Sequence, residues 1–466
     1  MFGKLPGAKQ RGSLSVDFAG ARRDVEIHEV AGADERVTHL ALEHLLFSPS
    51  GPGKIYCDDG SDRPFATDAS KFALFSIAAA EYIRREAVPG DIVHLHDWHV
   101  ALYYVLRCFD PKFRALSDIR AVYTIHNLAM QGIRPFAGDA SSLQTWFPGL
   151  QYDSGLLVDP RWNDCINPMA AAIRLADGVN TVSPTYALEI QQPNDPEHGF
   201  HGGEGLEKDL QRAAAEGRLV GILNGCMYPK QSRRRPGWRR LLDTIHAEVE
   251  GWRQRDEAGS WLHNLALDRV ASLPKRRPAS VLTAIGRLTS QKVDLFLAEV
   301  DEGRTALDAL LDDLGSGGVF ILVGSGDPEL QQRMFDIASR RDNFVFLCGY
   351  SEYFADLLYK AGDLFLMPSS FEPCGISQML AMRAGQPCVV HAVGGLRDTV
   401  EDDVNGFTFA GATFDEQARN FVARVRFALA IKENDSDRWL RIRSAALKAR
   451  FTWEAAASDY ITRLYR

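Results

Sequence analysis

Two doubly wound parallel α/β sheets are what this sequence predicts, on three observations. The chain has 466 residues, and a single core stops growing at roughly 250–300 residues, so two domains are the default. Short apolar runs alternate with longer helical stretches, the rhythm of βαβ units. The runs hold Val, Ile, Leu and Phe without strict polar alternation, which marks strands buried on both faces of a parallel sheet.

Composition narrows the class. Hydrophobic residues are 45% and charged residues 24% of the chain, an ordinary globular balance that excludes a disordered, collagenous or coiled-coil chain. The 53 Lys and Arg against 61 Asp and Glu leave a formal charge of −8, a poor match to the basic surface that nucleic-acid binding needs. No apolar run reaches the roughly 18 residues of a membrane span. Met1 to Ser13 lacks the apolar stretch of a signal peptide. Seven cysteines, an odd number with no Cys-x-x-Cys pair, fit free thiols in a cytoplasmic setting and argue against disulfides and zinc.

The predicted strands fall in two series. The first is Ile92–His96, Ala121–Ile125, Val179–Val182 and Leu219–Leu223; the second is Val281–Ile285, Val319–Val323, Phe344–Leu347, Leu364–Met367 and Cys388–His391. Ile92–His96 and Ala121–Ile125 both suggest fully buried strands. Between the series, Cys226 to Pro278 carries Pro229, Pro236, Pro274 and Pro278 with basic clusters at Arg233–Arg235, Arg239–Arg240 and Lys275–Arg277. It suggests a connection with helices inside, its arginines either a solvated surface or a site for an anionic partner. The resulting division is 1–225, 226–278, 279–450 and a terminal helix at 451–466. In that helix Trp453, Ala457, Tyr460, Ile461 and Leu464 share one face and Thr452 is the N-cap, so it should dock elsewhere, for example on the first domain.

Ligands of open α/β sheets bind beyond the carboxyl ends of the strands, so the residues after each strand carry the chemistry. His94-Leu95-His96-Asp97-Trp98-His99 follows the first; a site for a hydroxylated ligand, a satisfied structural cluster and a metal site are the alternatives. His126-Asn127 follows the second and can serve sugar hydroxyls. Asn180-Thr181-Val182-Ser183-Pro184 and Asn224-Gly225 alone are turn signals. In the second series Arg287 and Lys292 lie five apart on a strand-to-helix turn, where both can reach one diphosphate. The strongest signal is Pro368-Ser369-Ser370-Phe371-Glu372-Pro373-Cys374-Gly375-Ile376-Ser377-Gln378. It sets a carboxylate, Glu372, ahead of a helix start; the blander alternative makes Glu372 a cap. Gly394-Gly395 gives a further close backbone approach.

These segments resemble a known family. HLHDWH, TIHNLAMQG, NTVSPTYALEI, GRLTSQK, GSGDPELQ, Gly349-Tyr350 and PSSFEPCGISQMLAMRAG are similar, in order and spacing, to bacterial glycogen synthases and plant starch synthases. The resemblance covers roughly 20–225 and 280–466. It implies a GT-B fold, two Rossmann-like domains facing a cleft. It implies retaining transfer of glucose from ADP-glucose to the non-reducing end of an α-1,4-glucan, with no cofactor or metal. Carried over by residue, Arg287 and Lys292 hold the diphosphate, and His126 and Asp97 face the glucosyl unit with Asn127 and Asn224 nearby. Glu372 sits at the donor sugar, Cys374, Gly375, Ile376 and Ser377 line its hydroxyls and the phosphates, and Tyr350 meets the adenine.

Three departures stand out. Family members open with a strand, a Lys-x-Gly-Gly loop and a helix, a segment this sequence lacks. Cys226-Met227 follows Asn224-Gly225 where an acidic residue is usual, and Ser370 stands where many members have Arg. The second reading that these leave open is an inactive or glucan- or nucleotide-binding relative.

Overall fold

The computed structural model describes residues 7–32, 34–49, 51, 56–57, 59–60, 63–228, 234–255 and 260–466. Met1, Pro229 and Arg233, named above, lie outside the described residues.

The chain opens on an antiparallel meander, β1 (Lys9–Phe18), β2 (Ala21–Val30) and β3 (His39–Glu43), turning at Ala19-Gly20. Leu14, Val16 and Phe18 of β1 and Val25 and Ile27 of β2 are buried against the helix Ala66–Glu86 and its neighbours. Sequence reading by buried runs passed over this meander. Its signal is the opposite one, apolar residues every second position, the mark of a half-buried sheet.

A four-stranded parallel sheet follows, ordered β4 (Ile92–His96), β5 (Arg120–Ile125), β6 (Gly178–Thr181), β7 (Leu219–Gly221). β5 and β6 are central and buried. β4 is not: it is the edge of this sheet among the described residues, with Val93 and Leu95 buried and Ile92 and His96 exposed. The expectation of a fully buried β4 fails because only one side of that strand has a neighbour.

The second sheet has six parallel strands in the order β10 (Phe344–Leu347), β9 (Gly318–Val323), β8 (Ser280–Ile285), β11 (Leu364–Met367), β12 (Cys388–His391), β13 (Phe407–Phe409). Taken along the chain this is 3-2-1-4-5-6, the order whose crevice opens where the connections reverse direction, between β8 and β11. Every residue of β8 to β12 is buried, because helices cover both faces. Trp238–Arg255 and Ser260–Ser272 form part of that cover, packing Trp238, Leu241, Ile245 and Val249 over Val281, Ile321 and Val345.

Arg239 and Arg240 are exposed, but Arg235 and Arg277 are anchored. Their guanidinium groups each reach a different oxygen of Asp363 at 2.8 Å, and Lys432 stands 3.8 Å away. The Asp363 side chain is 5% exposed. Burial alone would raise its pKa, yet Arg277, Arg235 and Lys432 hold it below the ordinary carboxylate value.

The chain ends by returning to the first sheet. Thr452 caps the helix Trp453–Asp459, accepting from the Ala455 N–H at 3.2 Å. A π-turn over Tyr460–Leu464 follows. That wider turn shifts the apolar face, so Ala456 and Leu464 are buried while Trp453, Ala457 and Ile461 are exposed. The single stripe expected for Trp453, Ala457, Tyr460, Ile461 and Leu464 is broken there. Ala456 and Leu464 pack on Val122 and Ile222, and Arg120 donates to the Leu464 carbonyl at 3.0 and 3.2 Å.

Candidate active site

At the crevice between β8 and β11, both strands end in polar loops. Residues 284–288 at the end of β8, Lys292 on the following helix and residues 366–369 at the end of β11 line one narrow pocket. Arg287 is exposed on its rim. The Lys292 Nζ forms an ion pair with the Glu372 carboxylate, which also accepts from the Ser369 hydroxyl at 3.2 Å. Glu372 is 6% exposed. It caps no helix: the helix Ser377–Arg383 starts five residues later, its N-cap Ile376 makes no side-chain cap bond, and the capping alternative for Glu372 falls.

The loop holding Glu372 is braced from behind. The Gly395 N–H donates to the Glu372 carbonyl at 3.0 Å. Gly394 has φ +44°, and a Cβ there would lie 1.9 Å from that carbonyl oxygen, so only glycine permits this approach. Ser370 donates from its N–H to the Gln291 carbonyl at 2.8 Å, and Gln291 Nε2 donates to the Phe371 carbonyl at 2.8 Å. The loop is therefore tied to the helix bearing Lys292.

Facing it are the loops after β4 and β5. Asp97 sits at φ 57°, an unusual conformation for a non-glycine residue, and such strain persists where surrounding bonds enforce it. Here its N–H donates to the Thr124 carbonyl at 2.9 Å and its carboxylate accepts from the His126 N–H at 2.8 Å. Asp97 and His126 are thus brought together. The Tyr56 hydroxyl, 2.9 Å from His99 Nε2, feels both sides of the cleft. Burial raises its pKa most, Asp97 and Asp68 add to the rise and Arg287 opposes it.

The remaining candidates divide. The Asn224 N–H donates to the Cys374 thiol, which burial pushes up to about 12, so these two meet at the junction of the halves. Asn127 spends its side-chain oxygen on the Ala129 N–H at 2.9 Å. Gly375 and Ile376 form the turn into the helix Ser377–Arg383, with Ile376 exposed. Tyr350 is 63% exposed; it neighbours Tyr359, which hydrogen-bonds Ser377. It stands near that turn and is not packed into it.

Sequence reasoning missed the residues that clasp the two halves. The Ser183 hydroxyl donates to the Pro373 carbonyl at 2.6 Å, and Thr185 donates from N–H and hydroxyl to Asp398 at 2.8 and 2.7 Å. Glu189 accepts from the Gly394 N–H at 2.9 Å, and burial raises its pKa to about 7 despite that bond. Ser183, Thr185 and Glu189 lie in the NTVSPTYALEI segment, read as a turn signal and as one carrier of the family resemblance, but nothing local marks the Ser183 partner 190 residues away.

Two Rossmann-like sheets facing a cleft, with cationic and carboxylate side chains converging at its switch point, define a glycosyltransferase of the GT-B class. Comparison with known proteins gives the family. Residues 6–212 match the starch synthase catalytic domain and residues 279–428 match glycosyl transferases group 1. The chain is 34% identical over 406 residues to a glycogen synthase of Streptococcus equi subsp. equi, covering 84% of this chain and 77% of the relative. It is 34% identical over 437 residues to a glycogen synthase of Anaeromyxobacter, covering 93% and 83%. The catalytic domain of starch synthase IV from Arabidopsis thaliana, solved with ADP and acarbose, superposes with a TM-score of 0.73 at 28% identity, covering 98% of this chain and 88% of that one. The chain belongs to the glycogen synthase and starch synthase family, and it is a glycosyltransferase.

Proposed function

We propose that this protein transfers glucose from ADP-glucose to the non-reducing end of an α-1,4-glucan, with retention of configuration, in the cytoplasm. The observation that carries the reading is the Lys292–Glu372 pair beside Arg287 at the switch point of the second sheet. A nucleoside diphosphate leaving group develops negative charge as the glycosidic bond breaks. Arg287 and Lys292 meet that charge, the first as a planar fork and the second as a point charge. The anomeric carbon becomes cation-like, which favours the Glu372 carboxylate and Asp97 nearby. His126, held by Asp97 through its own N–H, faces the glucosyl unit, with Asn127, Asn224, Cys374, Gly375, Ile376 and Ser377 lining the hydroxyls and phosphates. Tyr350 covers the adenine after moving from its exposed position.

Two cations already serve the diphosphate, so a divalent ion is not required and chelator leaves the rate unchanged. The test is an assay of glucose incorporation into glycogen from ADP-glucose, with UDP-glucose as competitor donor and Glu372→Gln as control. Incorporation lost in Glu372→Gln supports the reading. ADP binding without any transfer, by the intact chain on any glucan primer, would overturn it in favour of a binding protein.

A further inference from the structure

The His94-Leu95-His96 stretch contributes no atom to the pocket described above, yet its two histidines join the end of the chain to His126. They project from the same face of the edge strand β4, two residues apart. Tyr465 lies 2.8 Å from His94 Nδ1 through its hydroxyl, and His94 Nε2 lies 2.5 Å from the Thr124 hydroxyl. Thr124 in turn donates to Asn180 Oδ1. A hydroxyl has one proton, so Thr124 accepts from His94, and His94 carries its proton on Nε2. Burial, with His96 and His126 adding to it, drops His94 to about 3. The ring is neutral, its Nδ1 is an acceptor, and Tyr465 O–H donates to it. The His94 ring then stacks on His96 at 4.4 Å and 26°, and His96 Nδ1 lies 3.0 Å from His126 Nε2. Tyr460 completes the brace, bonding Asn180 and Thr124 and stacking on Tyr465 at 5.9 Å.

We infer that Tyr465 is a positioning residue for His126, acting through the hydrogen bond that fixes the His94 ring and the stack that fixes His96. One proton direction runs through Tyr465, His94, Thr124 and Asn180, so losing the Tyr465 hydroxyl frees the His94 ring to rotate or change tautomer. His96 then loses its stacked support, and His126 Nε2 loses a fixed partner. A small displacement of a reacting or orienting group costs up to about 100-fold in rate; the loss of one remote hydroxyl should cost about tenfold.

The inference rests on the proposed placement of His126 at the glucosyl unit, and two readouts separate the failures. In Tyr465→Phe the ring keeps its packing, so the Tm should hold. Its kcat with ADP-glucose and glycogen should fall about tenfold while KM for ADP-glucose stays. Imidazole nitrogen spectra of protein with its 12 histidines isotopically labelled should show altered His94 and His126 nitrogen shifts in the same variant. His94→Gln, whose amide can still accept and donate, should recover more activity than His94→Leu. Unchanged kcat and unchanged His126 shifts in Tyr465→Phe would overturn the inference. So would a drop in Tm with full activity per folded molecule, because the contact would then be a docking bond alone. Altered His126 shifts together with a fully active His126→Ala would leave the positioning standing and overturn the catalytic placement of His126.

Discussion

The two parallel sheets hold their functional loops in different ways. The second sheet is six strands wide, and its loops are braced by main-chain bonds and by ion pairs on side chains less than a fifth exposed, such as Lys292 with Glu372. The first is four strands wide among the described residues, and its loops hang on uncharged side-chain bonds among His94, Thr124 and Asn180, with one main-chain bond from the His126 N–H to the Asp97 carboxylate. The side proposed to hold the donor is built from charge pairs behind a sheet covered on both faces. The side proposed to meet a neutral sugar is built mostly from uncharged donors and acceptors whose direction depends on tautomers, with the Asp97 carboxylate as the one charge among the residues named.

That contrast predicts where the molecule breaks. The largest effect should come from Lys292→Ala or Arg287→Ala, each removing a cation proposed to meet the leaving diphosphate. The kcat should fall on the order of 10²–10³, read by glucose incorporation. Lys292→Ala also strands the Glu372 carboxylate, so its thermal melt should fall as well, while Arg287→Ala melts like the parent. Equal melts would show that the Lys292–Glu372 pair contributes nothing to the donor side.

Asp363→Asn should cost about 3 kcal/mol in urea unfolding, because Arg235, Arg277 and Lys432 would be left without their carboxylate. Activity per folded molecule should survive, since Asp363 lies just ahead of β11, at the end of the strand opposite the pocket.

Acid should separate the halves next. His94 is depressed to about 3 and His96 and His99 are also lowered, chiefly by burial, against His391 at about 4 in the second half. A histidine with a lowered folded value binds its proton more readily when unfolded, so stability falls as pH drops below about 6.5. Asp363 contributes only later, as pH falls through its own depressed value. Hydrogen exchange between pH 7 and 4.5 should therefore show the first sheet opening before the second. Simultaneous opening would erase the distinction.

The smallest effect concerns the clasp. Asp398→Asn removes the charge that Thr185 donates to twice and should cost about 1 kcal/mol, with KM for ADP-glucose rising a few-fold. A variant indistinguishable from the parent in both would show that the halves are held by packing alone.

The second sheet was almost fully legible in the sequence. Phe344–Leu347, Leu364–Met367 and Cys388–His391 coincide with their strands to the residue, because double-sided burial forces an unbroken apolar run. The Glu372 loop was legible for a related reason, since polar residues directly after such a run have few places to go except the crevice. β4 misled because its buried Val93 and Leu95 alternate with the exposed Ile92 and with His94 and His96, which bond within the fold. The Asp363 clamp, the Ser183–Pro373 bond and the Tyr465–His94 bond were invisible, each joining residues more than 80 positions apart with no periodicity to announce them. The meander of β1 to β3 was visible in the alternation of Leu14, Val16 and Phe18, and was passed over for want of a continuous run.

The return of the chain to the first sheet sets a timetable for synthesis. Val122 and Ile222 belong to strands and loops finished by residue 222, but Ala456 and Leu464 cover them. At about 5–20 residues per second, a ribosome needs roughly 12–50 s to make the intervening stretch. Throughout that interval the nascent first sheet presents an uncovered apolar patch and an unanchored Arg120. A chaperone that holds unfolded chains has its opening there, and slowing translation after residue 222 should lengthen its residence on the nascent chain.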